Sequence, residues 1–279
     1  MEIFLREIEN LKISPRKKLL KGGKGNYKGK GFGNSLDFHG HREYSLGDDI
    51  RKIDWKSYAR TEKLYIKEFT EERQMHVNVI LDNSGSMNFG NPNKLEIAKM
   101  ISLGISYLTL NQMDHLSFYT INNKLINIQR NIRGKEYFYR LIEEVSNIKF
   151  EDTTDFSGIF NIDTFMSGIT FIISDFFGKE IEKNLDFLCS QGQEVIAIHV
   201  LSPLEIEPEY EEELKLIDIE TKSIRRIQFT PKIKEVYMKK MKSFIEECKN
   251  TCNNRNIKYI LASTDTSPSR IMSKALGGV

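Results

Sequence analysis

The chain has 279 residues, with 41 Lys and Arg against 39 Asp and Glu, 39% hydrophobic and 29% charged residues. That composition excludes a disordered chain and leaves enough apolar material for a sizeable core. A formal net charge of +2 argues against a protein whose whole surface serves nucleic acid or a membrane.

In chain order, residues 1–20 read as a short helix and its exit, and MEIFLREIEN carries acids where a signal peptide would be apolar. No run approaches the roughly 18 consecutive apolar residues of a membrane-spanning helix, so a cytoplasmic location is expected. KGGKGNYKGKGFG, residues 21–33, is a basic Gly-rich loop. It lacks the GxxxxGK[ST] pattern and a preceding strand, so it is no phosphate-binding loop of that kind, although it could meet an acidic partner. Tyr27 and Phe32 among its lysines leave open stacking on single-stranded nucleic acid, a reading the nearly neutral remainder of the chain does not favour.

Residues 34–74 include HREYSLGDDIRKIDWKSYARTEKLYIKEFTEER, too polar for a core and too aromatic for a linker. GDD signals a turn, and KLYIKEF alternates as a strand. Arg42, Glu43, Asp48, Asp49, Arg51, Asp54, Arg60 and Glu68 can pair around Tyr44, Trp55 and Tyr58. Such a network can dock the segment on the rest of the chain. It can also face a partner, because Trp, Tyr and Arg dominate binding hot spots. The partner-facing candidates are Arg42, Tyr44, Asp48, Asp49, Arg51, Asp54, Trp55 and Arg60.

From residue 75 apolar strands alternate with helices: strands at 75–82, 116–121, 124–129, 169–175, 194–201 and 257–263, helices at 94–110, 135–147, 179–190 and from 231 onward. Asn93 with Glu96 forms a capping-box pattern, and Thr230-Pro231 opens the last helix. Strands apolar on both faces predict an α/β fold, a doubly wound, mainly parallel sheet with helices on both faces. ELKLIDIE and SIRRIQF, within an insertion at about 202–230, predict a β-hairpin added to that sheet. The expected domains are therefore 1–74 and 75–279. Cys189, Cys248 and Cys252 are too few for a disulfide framework, and Cys248 and Cys252, four apart on an expected helix, read as packing thiols.

Ligands of open α/β sheets bind at the carboxyl ends of strands. Here MHVNVIL ends in Asp82, Ser84 and Ser86, ITFIIS ends in Asp175, and Thr153, Thr154 and Asp155 lie on the loop before it. One or two carboxylates, several hydroxyls and room for water suit Mg²⁺, which prefers oxygen and retains waters. Mn²⁺ and Ca²⁺ are the other candidates. The Gly-x-Ser-x-Gly of a serine hydrolase is incomplete around Ser84, and the second Asp of an aspartyl phosphatase is missing there. His39 and His41 lack a nearby third zinc ligand, and His76 and His199 lie within strands.

Asp82-x-Ser84-x-Ser86, followed by Thr154 and then Asp175, resembles the metal-ion-dependent adhesion site of von Willebrand factor A domains. That resemblance implies a von Willebrand factor A-like fold and a metal held by Asp82, Ser84, Ser86, Thr154 and Asp175, with Thr153 as the alternative to Thr154. Glu151, Asp152 and Thr153 stand where the family has glycines. The REY–GDD–IDW stretch, the hairpin and the late YILASTDTS resemble the bacterial domain of unknown function 58 family from about residue 35 to the end. This second resemblance implies an adaptor or assembly factor beside a MoxR-type AAA+ ATPase or its client. Together they imply a non-enzymatic, Mg²⁺-dependent protein-binding module whose partner supplies an acidic residue. Nucleic-acid or anion binding by the basic loop, or a metal-dependent hydrolase, is the alternative.

Overall fold

The computed structural model describes residues 1–15, 36–71, 75–122, 124–150, 156–161, 168–178, 181–209, 213–217 and 224–277. In chain order the elements are α1 (Glu2–Ile8), β1 (Leu36–Glu43), α2 (Trp55–Thr61), β2 (Tyr65–Glu71), β3 (His76–Asp82), α3 (Lys94–Asn111), β4 (His115–Ile121), β5 (Leu125–Ile132), α4 (Tyr137–Ser146), β6 (Gly168–Ser174), α5 (Ile181–Ser190), β7 (Glu194–Leu201), α6 (Pro203–Ile206), β8 (Glu213–Ile217), β9 (Ile224–Gln228), α7 (Pro231–Asn253), β10 (Lys258–Ser263) and α8 (Pro268–Leu276). They fall into two compact units, Met1–Lys21 with Met75–Val279, and Gly22–Gln74.

The larger unit is built on a six-stranded sheet of order β10-β7-β6-β3-β4-β5. Every neighbouring pair is parallel except β4–β5, an antiparallel edge. Alternation along the strands feeds two separate cores. Val77, Val79, Leu81, Phe171 and Ile198 point into one, with Ile101, Ile105 and Leu108 of α3 and Met272 of α8. Ile80, Ile172 and Ala197 point into the other, with Leu185 and Leu188 of α5 and Cys252 of α7. Burial on both faces explains why these strands read as continuous apolar runs. The chain winds outward from β3 in both directions, the doubly wound, von Willebrand factor A-like arrangement implied by the sequence resemblance.

α1 belongs to this unit. Its Phe4 and Ile8 are buried, and the ring of Phe4 lies so near Gly104 that a Cβ there would sit 2.8 Å away. Gly104 thus lets α1 close onto α3. β8 and β9 pair antiparallel as a sheet of their own. The hairpin exists, but it does not extend the main sheet as the sequence pattern suggested; strand alternation specifies a partner face and not which edge takes it.

In the smaller unit β1 and β2 pair antiparallel, and α2 lies between them in sequence. Among the described residues no helix is long and apolar enough to cross a membrane.

Candidate metal centre

β3 is the strand from which the winding reverses, so its carboxyl end faces the crevice where open α/β sheets bind ligands. Its last residue, Asp82, is fully buried, as is Ser84. The Ser84 backbone N–H donates to Asp82 Oδ1 (2.9 Å), folding the chain back into a short 3-10 turn, Gly85–Met87. That turn brings the hydroxyls of Ser84 and Ser86 to 3.0 Å from each other. Asn83 fixes the loop by donating through Nδ2 to the Lys149 carbonyl (2.9 Å).

The neighbouring strand β6 ends at Ser174, whose hydroxyl donates to Asp82 Oδ2. Asp175 follows and is also fully buried. Two carboxylates therefore meet out of water at adjacent strand ends. Burial, and then the like charge of Asp175, push the Asp82 carboxyl up to about 7. The backbone beyond Asp175 is shaped by Phe176 in the left-handed region (φ 58°).

The sequence reading missed Lys94. Its side chain is fully buried, and Nζ donates to Asp175 Oδ2 (2.8 Å) and to Glu205 Oε1 (2.6 Å). The rings of Phe177 and Phe89 lie 5.5 and 5.9 Å from the ammonium, within cation–π range. Glu205, in α6 just past β7, spends its other oxygen on the Ser202 N–H (2.8 Å). Burial raises the Glu205 carboxyl above its ordinary value even against the pull of Lys94. A lysine as the first residue of a helix opposes the helix dipole by only about 0.3–1 kcal/mol, too weak a signal to have disclosed this cluster.

His199 is buried on β7, with Nδ1 2.6 Å from the Tyr259 hydroxyl and its ring against Phe176 and Phe244. Burial lowers its pKa to about 4, so the imidazole is neutral at physiological pH. The structure thus brings Asp82, Ser84, Ser86 and Asp175 to neighbouring strand ends. Thr153, Thr154 and Asp155 lie outside the described residues, as does the basic loop at 21–33. Among the described residues no group of three or more His, Cys, Asp and Glu is placed to hold a metal ion, so a cation here would depend on the serine hydroxyls as well.

In the smaller unit, most of the charged candidates pair with each other. Arg42 grips Asp48 with two bonds of 2.6 Å and holds its carboxyl down to about 2. Arg51 pairs with Asp49 at 3.0 and 2.9 Å. Asp54 caps α2, accepting from Lys56 N (3.0 Å) and the Ser57 hydroxyl (3.0 Å), and lies 2.6 Å from His41 Nε2. Burial would raise the Asp54 carboxyl, but the hydrogen bonds from His41 and Ser57 hold it well below the usual range. The Tyr44 N–H donates to the Leu64 carbonyl. Trp55 and Tyr58 stay outside, 60% and 41% exposed, with their rings edge to face at 6.1 Å. Arg60 is exposed on the same helix.

Residues 40–246 match the family described as Protein of unknown function DUF58. Uncharacterized protein Mb1516 of Mycobacterium bovis and Rv1480 of Mycobacterium tuberculosis are each 23% identical to this chain over 202 residues, 70% of this chain and 64% of theirs. The match thus spans less than two thirds of those relatives. Among solved structures, BatB from Bacteroides thetaiotaomicron aligns at a TM-score of 0.45 and 13% identity, over 72% of this chain and 96% of its own. The SpRpn10 VWA domain aligns at 0.43 and 12%, over 74% and 100%.

Proposed function

This chain belongs to the DUF58 family, and within that family we propose that it is a non-catalytic protein-binding module that uses a divalent cation, Mg²⁺ in the first place, to grip an acidic side chain of its partner. The observation that carries this reading is the charge left over at the carboxyl end of the sheet. Among the described residues, Asp82, Asp175 and Glu205 set three buried or nearly buried carboxylates against one ammonium, Lys94. When the carboxylates are ionised, the remainder equals the charge of one divalent cation. Burial, and then the like charge of Asp175, raise the Asp82 carboxyl, a penalty that a cation bound beside the pair would relieve.

The donor set fits. Asp82, Ser84, Ser86 and Asp175 would hold the ion, with Thr154 (or Thr153) proposed from the sequence as a further ligand. Neutral hydroxyls among few carboxylates leave a bound cation with positive charge to spare, which attracts a carboxylate from outside. The ion would supply that electrostatic grip; the chain would supply position and exclusion of water. The domain of unknown function 58 resemblance suggests a MoxR-type AAA+ ATPase or its client as partner, and a cytoplasmic setting. Trp55, Tyr58 and Arg60 offer a second contact surface, as exposed aromatics and arginine suit protein recognition.

The test is capture from lysate of the source organism on wild-type and Asp82→Ala bait, with Mg²⁺ and with EDTA. Capture of one set of proteins that needs both Mg²⁺ and Asp82 is the expected result. Capture indifferent to both overturns the metal-bridged reading and leaves the Trp55 surface as the binding site.

A further inference from the structure

Lys94 is already a cation in the cluster, and what it does to a second cation follows from where it sits. Its ammonium is fully buried and is held by Asp175, Glu205 and two aromatic rings. A surface lysine could swing aside when an ion enters; this one has no solvent to enter. We infer that Lys94 is a fixed internal counter-cation that sets both the affinity and the ion selectivity of the candidate metal centre, an inference that rests on the metal reading above.

Two consequences follow. The first concerns charge. One buried positive charge beside Asp175 lowers the attraction of the site for any further cation, and in a low-dielectric interior that effect is large. The second concerns geometry. Asp175 Oδ2 faces the ammonium, and an oxygen already shared with one positive charge is a poor ligand for another. Both Asp82 oxygens also accept hydrogen bonds, from the Ser84 N–H and the Ser174 hydroxyl. Neither aspartate thus offers an unencumbered pair of oxygens. Ca²⁺ takes six to eight oxygens and commonly a bidentate carboxylate, whereas Mg²⁺ takes one or two carboxylates singly and keeps waters. The Lys94 clamp therefore disfavours Ca²⁺. Glu205 completes the device: it also holds the ammonium, so Lys94 is shared between two carboxylates.

Calorimetric titration of the full chain with Mg²⁺, Mn²⁺ and Ca²⁺ tests this. Lys94→Met should bind every ion about tenfold tighter or more, with Ca²⁺ gaining most. Lys94→Met with Glu205→Gln restores the net charge of the wild type without the clamp. Its Mg²⁺ affinity should return toward the wild-type value while the shift toward Ca²⁺ persists, a separation that a purely structural role would not produce. Glu205→Gln alone keeps one acceptor oxygen, which can still hold Lys94 at the loss of the Ser202 N–H bond, so it serves if removing Lys94 prevents folding. It should weaken all ions about tenfold and leave their ratio unchanged. If the wild type binds no divalent ion, the metal reading itself falls. If the wild type binds but these variants keep its affinities and its Mg²⁺ to Ca²⁺ ratio, the role of Lys94 is wrong and the metal reading stands.

Discussion

The same strands end differently at the two edges of the central sheet. At the carboxyl end of β3 and β6, buried Asp82 and Asp175 face a single buried ammonium, Lys94, among the described residues. At the amino end, several equally buried polar groups pair with one another, although His76 Nδ1 finds no hydrogen-bond partner among the described residues. Asp114 Oδ1 accepts the Met75 N–H (2.8 Å), and His76 Nε2 lies 3.0 Å from the Ser117 hydroxyl. A little further in, Asn78, Thr170 and Gln193 close a neutral network at 3.0–3.2 Å. Buried polar groups that satisfy each other serve the fold. The carboxyl end instead sets two neighbouring buried carboxylates side by side, against the lone Asp114 at the amino end, and it is the end proposed as a site.

That contrast can be broken most directly with matched substitutions. Asp82→Asn should lower divalent-cation affinity on the order of 100-fold or more, beyond the 10–100-fold that loss of an outer partner costs a metal site. Asp114→Asn, the same change at the opposite end, should leave cation binding as it is. Equal effects from the two, read by calorimetry with Mg²⁺, would mean that the ends do not differ in the way proposed.

The next effect is on stability. Gly168 opens β6 directly against β3, and a Cβ at that position would be driven into the His76 carbonyl. Backbone cannot yield as a side-chain tip does. Gly168→Ala should therefore cost about 1–3 kcal/mol, as overpacking does. Urea unfolding measures it, and a change below about 0.5 kcal/mol, the ordinary surface range, would show the strands less closely apposed than described here.

The amino acid pattern disclosed the ends of this sheet unevenly. β3, β6 and β7 were legible because strands buried on both faces leave long apolar runs, and α3 because Asn93 caps it (Oδ1 to Leu95 N, 3.0 Å). Asp82, Ser84, Ser86 and Asp175 were legible because oxygen side chains interrupt such runs abruptly. Lys94 and Glu205 were not. Each reads alone as an ordinary charge near a helix start, and only the meeting of two strand ends with α3 turns them into a buried pair. In the smaller unit IDWKSYART was read as charges around aromatics, yet Asp54 is a helix cap and the segment is α2. α8 was overlooked although Ser267 and Pro268 are a start signal. The separate hairpin sheet was beyond the pattern altogether, since edge choice is a tertiary matter.

The smallest effect tests whether the amino end is as self-contained as claimed. His76 stacks on His115 with ring centres 6.0 Å apart and planes at 4°. Burial, and then the neighbouring His115, lower the His76 pKa from 6.5 to about 4. The unfolded chain therefore takes up a proton near pH 6.5 that the folded chain refuses until near pH 4. The stability associated with neutral His76 is full above pH 6.5, declines as pH falls through that window, and is lost by about pH 4. His76→Gln cannot be protonated there and keeps an amide for the Ser117 hydroxyl. Thermal melts of the two proteins at pH 7.5 and 5.5 in EDTA should show the wild type losing more of its Tm than the variant. EDTA removes any bound divalent cation; Asp82 and His199 titrate in both proteins, so the difference between the two losses reports His76. Identical losses would place the pH sensitivity elsewhere, and neutral His76 would no longer distinguish this end of the sheet from the charged one.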